Sequence, residues 1–185
     1  VFTVVSARAQ DIWSLADPGK ENIHLDRGWK YHMGDDPNAA FPDHEDATWG
    51  YIQPFADIHD SLPFGARQGI GWMRLKFRMN QEARRQPLAV LIRQSIASEI
   101  YLNGRLIKKY GKISAESDSI LAFDPRWDLV PLSISEDSIQ TLAVRFAVQP
   151  RVRFTTYFAG YNPILSIMVL RQEFAVQKFK EIYVR

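Results

Sequence analysis

The chain has 185 residues, is 46% hydrophobic and carries a net charge of only +2. Its length suits one domain of about 100–200 residues, and its balanced charge gives no bulk electrostatic case for nucleic-acid binding. It has no cysteine, which excludes disulfides, thiolate metal sites and cysteine nucleophiles, and no window approaches the ~20 apolar residues of a membrane-spanning helix.

VFTVVSARAQ opens the sequence. Apolar residues followed by Ala7-Arg8-Ala9 match the end of a secretory signal, with the small-residue pattern that precedes cleavage. Residues 1–10 are therefore expected to be a signal remnant, which implies export to the periplasm or cell surface; a short strand over Val1–Val5 is the plainer alternative. The domain proper is expected over 11–171. IHLDRGWKYHMG alternates loosely, with Trp29 and Tyr31 on one face, and stops at Gly34-Asp35-Asp36-Pro37, a turn cluster. DDPNAAFPDHEDATW is too rich in Asp, Pro and Asn for a regular element and reads as an ordered loop pinned by Phe41 and Trp49. Tyr51–Leu62 fits a short strand followed by a long loop.

The centre of the chain carries the clearest pattern. In Gly71–Met79, the residues Met73, Leu75, Phe77 and Met79 alternate with Trp72, Arg74, Lys76 and Arg78. A period of two puts these sets on opposite faces of a strand. Pro87–Gln94 is nearly all apolar, as a central strand covered on both sides should be. Ser98–Leu102 is β-branched and aromatic and runs into Asn103-Gly104, the preferred pair for a two-residue hairpin turn because both positions need positive φ. Arg105–Tyr110 returns from it. Asp128–Leu132 follows a polar connection. Ile139–Val148 places Leu142, Val144, Phe146 and Val148 on one face and Arg145 on the other. Tyr157–Pro163 is an aromatic loop, Ile164–Leu170 a buried strand, and 172–185 a tail with Phe174, Gln177, Lys178, Glu181 and Ile182 at helical spacing. Short strands separated by turns predict an all-β fold of antiparallel strands, a sandwich or jelly roll.

In order along the chain, Gly28-Trp29, Asp46-Ala47-Thr48-Trp49, Gly71-Trp72-Met73-Arg74-Leu75 and Glu99-Ile100-Tyr101-Leu102-Asn103-Gly104 resemble the galactose-binding-like jelly roll at the front of glycoside hydrolase family 2 enzymes. With Trp-Lys-Tyr…Gly-Asp-Asp-Pro, they also resemble the extracellular sensor domains of bacterial seven-transmembrane receptors with diverse intracellular signalling modules and of related sensor kinases. The resemblance covers 23–111, more weakly to 169; Met73 departs from it where those families carry an aromatic residue. It implies a galactose-binding-like β-sandwich with a binding or sensing role, joined in a receptor to a downstream membrane segment. Within the signature, Asp46 is expected to cap a turn through backbone amides, Trp49 to anchor the loop, and Asn103 and Gly104 to make a turn.

Catalytic motifs are absent. His24, His32, His44 and His59 form no H-E-x-x-H or H-x-H pair, no G-x-S-x-G elbow occurs, and no pair of carboxylates stands out for glycoside hydrolysis. Gly69-Ile70-Gly71 precedes a strand, whereas a dinucleotide loop opens a helix, so no cofactor is expected. Asp43-His44-Glu45-Asp46 is a cluster of loop side chains expected to face solvent. Asp35, Asp36 and Asp46 are the carboxylates that a structural calcium would use, although no metal site is assigned. The ligand-binding candidates are Trp72, Arg74, Arg93 and Arg145 on the strands, with Tyr157 and Tyr161 from the aromatic loop. Arginine forks would take a carboxylate or sugar hydroxyls, and the aromatics would stack on a sugar face. The alternative is a solvated outer face with aliphatic stems lying on the sheet. The resulting expectation is a non-catalytic module for a carbohydrate or small anionic metabolite, in a receptor or in a family 2-like glycosidase.

Overall fold

The computed structural model describes residues 12–16, 18–19, 21–62, 68–151 and 162–183. Strict alternation produces two sheets that face each other. The first is seven-stranded: β4 (Gly50–Tyr51), β3 (Lys30–Met33), β5 (Ile70–Met79), β10 (Ile139–Ala147), β7 (Ala97–Leu102) and β8 (Arg105–Tyr110) lie side by side, and β1 (Trp13–Leu15) adds to the far end of β5. β1 pairs parallel to β5, and the other pairs in this sheet are antiparallel. The second sheet has four antiparallel strands, β2 (Ile23–His24), β11 (Leu165–Arg171), β6 (Leu88–Gln94) and β9 (Asp128–Leu132). The chain thus crosses from one sheet to the other between β5 and β6 and back before β7. This is the jelly-roll β-sandwich that the alternation predicts.

The core lies between the sheets. Met73, Leu75, Phe77 and Met79 of β5 and Leu142, Val144 and Phe146 of β10 meet Leu88, Val90 and Ile92 of β6 and Leu165, Ile167 and Val169 of β11. Trp29 and Tyr31 also turn toward this core, as their spacing predicts. β6 is buried along its whole length because its other face is covered too: Ala89 and Leu91 pack with Met168, Leu170 and Ala175. Ala175 comes from α3 (Gln172–Tyr183), which gives the tail the helix its spacing suggests. A short helix, α1 (Ile58–Ser61), precedes β5, and another, α2 (Gln81–Arg84), follows it. The second begins at Asn80, whose Oδ1 accepts from the Ala83 N–H at 2.8 Å, an N-cap that the Asn-Gln-Glu-Ala-Arg sequence spells out.

The Asn103-Gly104 turn forms with φ of 50° and 82°. The Asn103 side chain does more than turn: its Oδ1 accepts from the Thr141 N–H at 2.7 Å, and its amide donates to Gln140 Oε1 at 2.7 Å. The hairpin tip is thereby tied to β10.

Candidate functional site

The outer face of the larger sheet is not the solvated surface that its cations suggest. Cross-strand register places His32 of β3, Trp72 of β5, Arg145 of β10, Glu99 of β7 and Lys109 of β8 in one row. The neighbouring row runs Lys30, Arg74, Ala143 and Tyr101. The 36–49 loop folds down over this second row. It contains a 3-10 turn, Pro37–Ala40, capped by Asp36, whose Oδ1 accepts from the Asn38 N–H at 2.9 Å. Ala39, Ala40 and Trp49 pack against Trp72 and Ala143 to make a second apolar cluster outside the sandwich.

Arg74 holds the loop down. Its side chain is 0% exposed, and its Nε donates to Asp46 Oδ2 at 3.0 Å. Its two terminal nitrogens donate to the backbone carbonyls of Ala39, Phe41 (2.9 Å) and His44 (3.3 Å). Lys30 Nζ donates to the Asp46 carbonyl at 2.8 Å and to Asp46 Oδ1 at 3.1 Å. Burial pushes the Asp46 carboxyl up, but the hydrogen bonds from Arg74 and Lys30 and the nearby Lys76 prevail and hold it below the ordinary carboxylate range. This corrects two expectations. Asp46 spends its carboxylate on buried cations rather than on backbone amides, and the donors of Arg74 are spent on Asp46 and the loop's carbonyls. Only a guanidinium, with its fork of N–H groups, satisfies that many acceptors at once. Trp49 is buried and anchors the loop, whereas Phe41 remains half-exposed.

The first row stays partly open. His32, Gly34, Asp35, Asp36, Ala39, His44, Trp49 and Trp72 line a concavity of about 410 Å³. The imidazole of His32 stacks on Trp49 with ring centres 5.5 Å apart, and His44 meets the same indole edge-on at 5.5 Å. Trp72 is 2% exposed, lies against Tyr101 at 5.6 Å, and its indole Nε1 is buried without a hydrogen-bond partner. Asp35 on the rim is gripped by Arg145, whose Nε and Nη2 donate to Asp35 Oδ1 and Oδ2, both at 2.6 Å. Nη1 of Arg145 donates to Glu99 Oε2 at 3.2 Å. The hydrogen bonds from Arg145 hold the Asp35 carboxyl below its ordinary value. Behind this pair, burial and the hydrogen bond to Glu99 push the Tyr101 hydroxyl up to about 12.

The four predicted ligand residues that fall among the described residues do not all converge. Trp72 and Arg145 are cross-strand neighbours at the concavity, and Arg74 lies beneath the loop beside it. Arg93 belongs to β6 in the opposite sheet, cross-strand from Ser166, and so cannot share a cleft with them. Tyr157 and Tyr161 lie outside the described residues. The sequence reading missed His32, Asp35, His44 and Trp49 as wall residues. His32 alone had a local signal, its place on the polar side of β3; the others come from a loop whose path depends on Arg74. Asp35, Asp36 and Asp46 are engaged separately by Arg145, the 3-10 turn and the Arg74–Lys30 pair. Among the described residues, no group of three or more His, Asp or Glu is placed to hold a metal ion.

Two facing sheets of mostly antiparallel strands, with these crossovers, define a jelly-roll β-sandwich domain. No protein-family model and no curated protein matches the chain. Solved structures match its fold. Bacteroides uniformis β-glucuronidase is 16% identical with a TM-score of 0.52, over 80% of this chain and 18% of that one. A glycosyl hydrolase family 2 member from Bacteroides cellulosilyticus is 16% identical with a TM-score of 0.51, over 80% and 20%. A β-glycosidase from Bacteroides vulgatus is 16% identical with a TM-score of 0.54, over 81% and 20%. At such identity the likeness is one of fold. The chain spans about a fifth of the length of these enzymes, so their catalytic activity does not carry over to this domain.

Proposed function

We propose that this chain is a non-catalytic carbohydrate-binding module of an exported protein, and that its ligand seats in the His32–Trp49–Trp72 concavity. The observation that carries this reading is the indole N–H of Trp72, buried without a partner in a residue that lines that concavity. A buried donor without an acceptor costs about 1–3 kcal/mol and calls for an explanation in a folded protein. A ligand hydroxyl, admitted by a small shift of the wall, supplies the acceptor. His32, His44 and Asp36 around the rim offer further polar partners, and the apolar edges of the two indoles match the mixed character of a sugar ring.

The module's setting is the extracytoplasmic part of a bacterial membrane signalling receptor, where ligand occupancy is reported across the membrane. What supports this is the set of ordered motifs from Trp29 to Gly104 that resembles receptor sensor domains. The alternative is an accessory module of a family 2-like glycosidase, which the structural likeness to parts of such enzymes favours. The downstream coding sequence separates them: apolar spans of ~20 residues mark a receptor, and a sandwich followed by a barrel marks a glycosidase. Binding is tested by calorimetry of the domain against a glycan and metabolite panel, with hydrolysis assayed in parallel. Saturable binding that weakens in Trp72→Phe and His32→Ala is expected. Turnover, or binding indifferent to both substitutions, contradicts the proposal.

A further inference from the structure

Among the described residues, no lysine or arginine lines the concavity. Its described lining includes two carboxylates, Asp35 and Asp36, and two imidazoles, His32 and His44. Among the described residues, the guanidinium groups of Arg74 and Arg145 on the same sheet face are already occupied. Arg74 is 0% exposed, its three nitrogens on Asp46 and loop carbonyls. Arg145 presents its fork to Asp35 through two bonds of 2.6 Å and turns its remaining nitrogen to Glu99. A paired, bidentate geometry of this kind is how an arginine takes a carboxylate ligand. Here the carboxylate belongs to the protein. The Asp35 side chain is 42% exposed and lines the concavity, whereas Arg145 does not.

We infer that Asp35 is the specificity-determining residue of the site: it fills the Arg145 fork, so that the concavity takes uncharged sugars and turns away their uronic acids. This rests on the carbohydrate-binding reading above and narrows it. An entering carboxylate meets Asp36 and the outer oxygens of Asp35, with no lysine or arginine among the described lining residues to offset them, and like charges in such proximity oppose binding. An uncharged ring meets no such opposition, and its hydroxyl can accept from the orphaned Trp72 N–H. Removal of the Asp35 carboxylate leaves Arg145 held by Glu99 alone and opens two of its donors to the concavity.

The test uses calorimetric titration of glucose, galactose and mannose against glucuronate and galacturonate, with wild type, Asp35→Ala and Asp35→Asn, each checked by thermal melting. Wild type is expected to bind at least one neutral sugar about tenfold or more tighter than the corresponding uronate. Asp35→Ala is expected to raise the ratio of uronate to neutral-sugar affinity about tenfold, and the gain should shrink in high salt. Asp35→Asn, which keeps the side chain's shape, gives a smaller shift in the same direction and stands in if the alanine variant melts early. Equal binding of uronate and neutral sugar by wild type overturns the inference and leaves the carbohydrate site standing. So does a ratio unmoved in both variants. Absence of binding of every sugar to all three proteins overturns the carbohydrate reading itself, and this inference with it.

Discussion

Arg74 and Asp46 stand 28 residues apart in sequence and meet at 3.0 Å, with Arg74 fully enclosed and the Asp46 side chain 7% exposed. Through this pair a strand in the middle of the larger sheet fixes the loop that walls the concavity. Breaking a buried pair strands the surviving charge, at a cost of about 3–5 kcal/mol. Arg74→Ala and Asp46→Asn are therefore expected to lower stability by about that amount in urea unfolding. Arg74→Lys should fall between them and wild type, since one ammonium cannot reach Asp46 and three carbonyls together. A loss under about 1 kcal/mol for Arg74→Ala, the range of exposed ion pairs, would show that the pair does not bind the loop to the sheet.

The same pair sets an acid limit. The carboxyl of Asp46 titrates lower in the folded protein than its ordinary value of 3.8. A depressed folded-state pKa means that the unfolded chain takes up the proton first as pH falls. The stabilisation is thus complete above the unfolded value and is lost as pH drops from about 4 through the lower folded value. Asp35 and Glu99, also depressed, act in the same direction. Urea midpoints should be flat across neutral pH and decline below about pH 4. In Asp46→Asn the decline should be shallower; an identical acid slope in that variant would remove Asp46 from the account.

Trp72 should separate fold from site. Trp72→Ala empties a large enclosed volume and is expected to cost about 3–5 kcal/mol. Trp72→Phe keeps most of the packing and removes a donor that has no acceptor, so the two effects oppose and the net change should stay under about 1.5 kcal/mol. Sugar affinity should still fall in Trp72→Phe. A loss of stability as large as that of the alanine variant would mean that the N–H has a partner in solution.

Gly111 tests the junction after β8. Its φ is +68°, and an added Cβ would sit 2.0 Å from the Leu121 carbonyl oxygen. That oxygen cannot retreat, because it accepts from the Lys112 N–H at 2.8 Å while the Leu121 N–H donates back at 3.0 Å. Gly111→Ala should therefore cost more than about 2 kcal/mol, beyond what the conformational preference of alanine alone explains. Thermal melting within a degree of wild type would show that the bridge yields.

What the sequence by itself determined is the layered β architecture. Alternation along Ile70–Met79 and Ile139–Ala147, the unbroken apolar run of Leu88–Gln94 and the Asn103-Gly104 turn are local signals, because the side-chain period of a strand and the φ demands of a turn are properties of consecutive residues. Which sheet each strand joins is a different matter. Arg74, Arg93 and Arg145 occupy equivalent places in their local patterns, yet one is enclosed under a loop, one lies on the opposite sheet and one grips Asp35. Only the tertiary structure decides this, since pairing joins β5 to β10 and β6 to β11 across long separations, and a charge between apolar neighbours reveals that it needs a partner without revealing which. His32 and Trp72 became neighbours, and Trp49 their wall, through register and through the Arg74–Asp46 pair, relationships that exist only once the chain has folded.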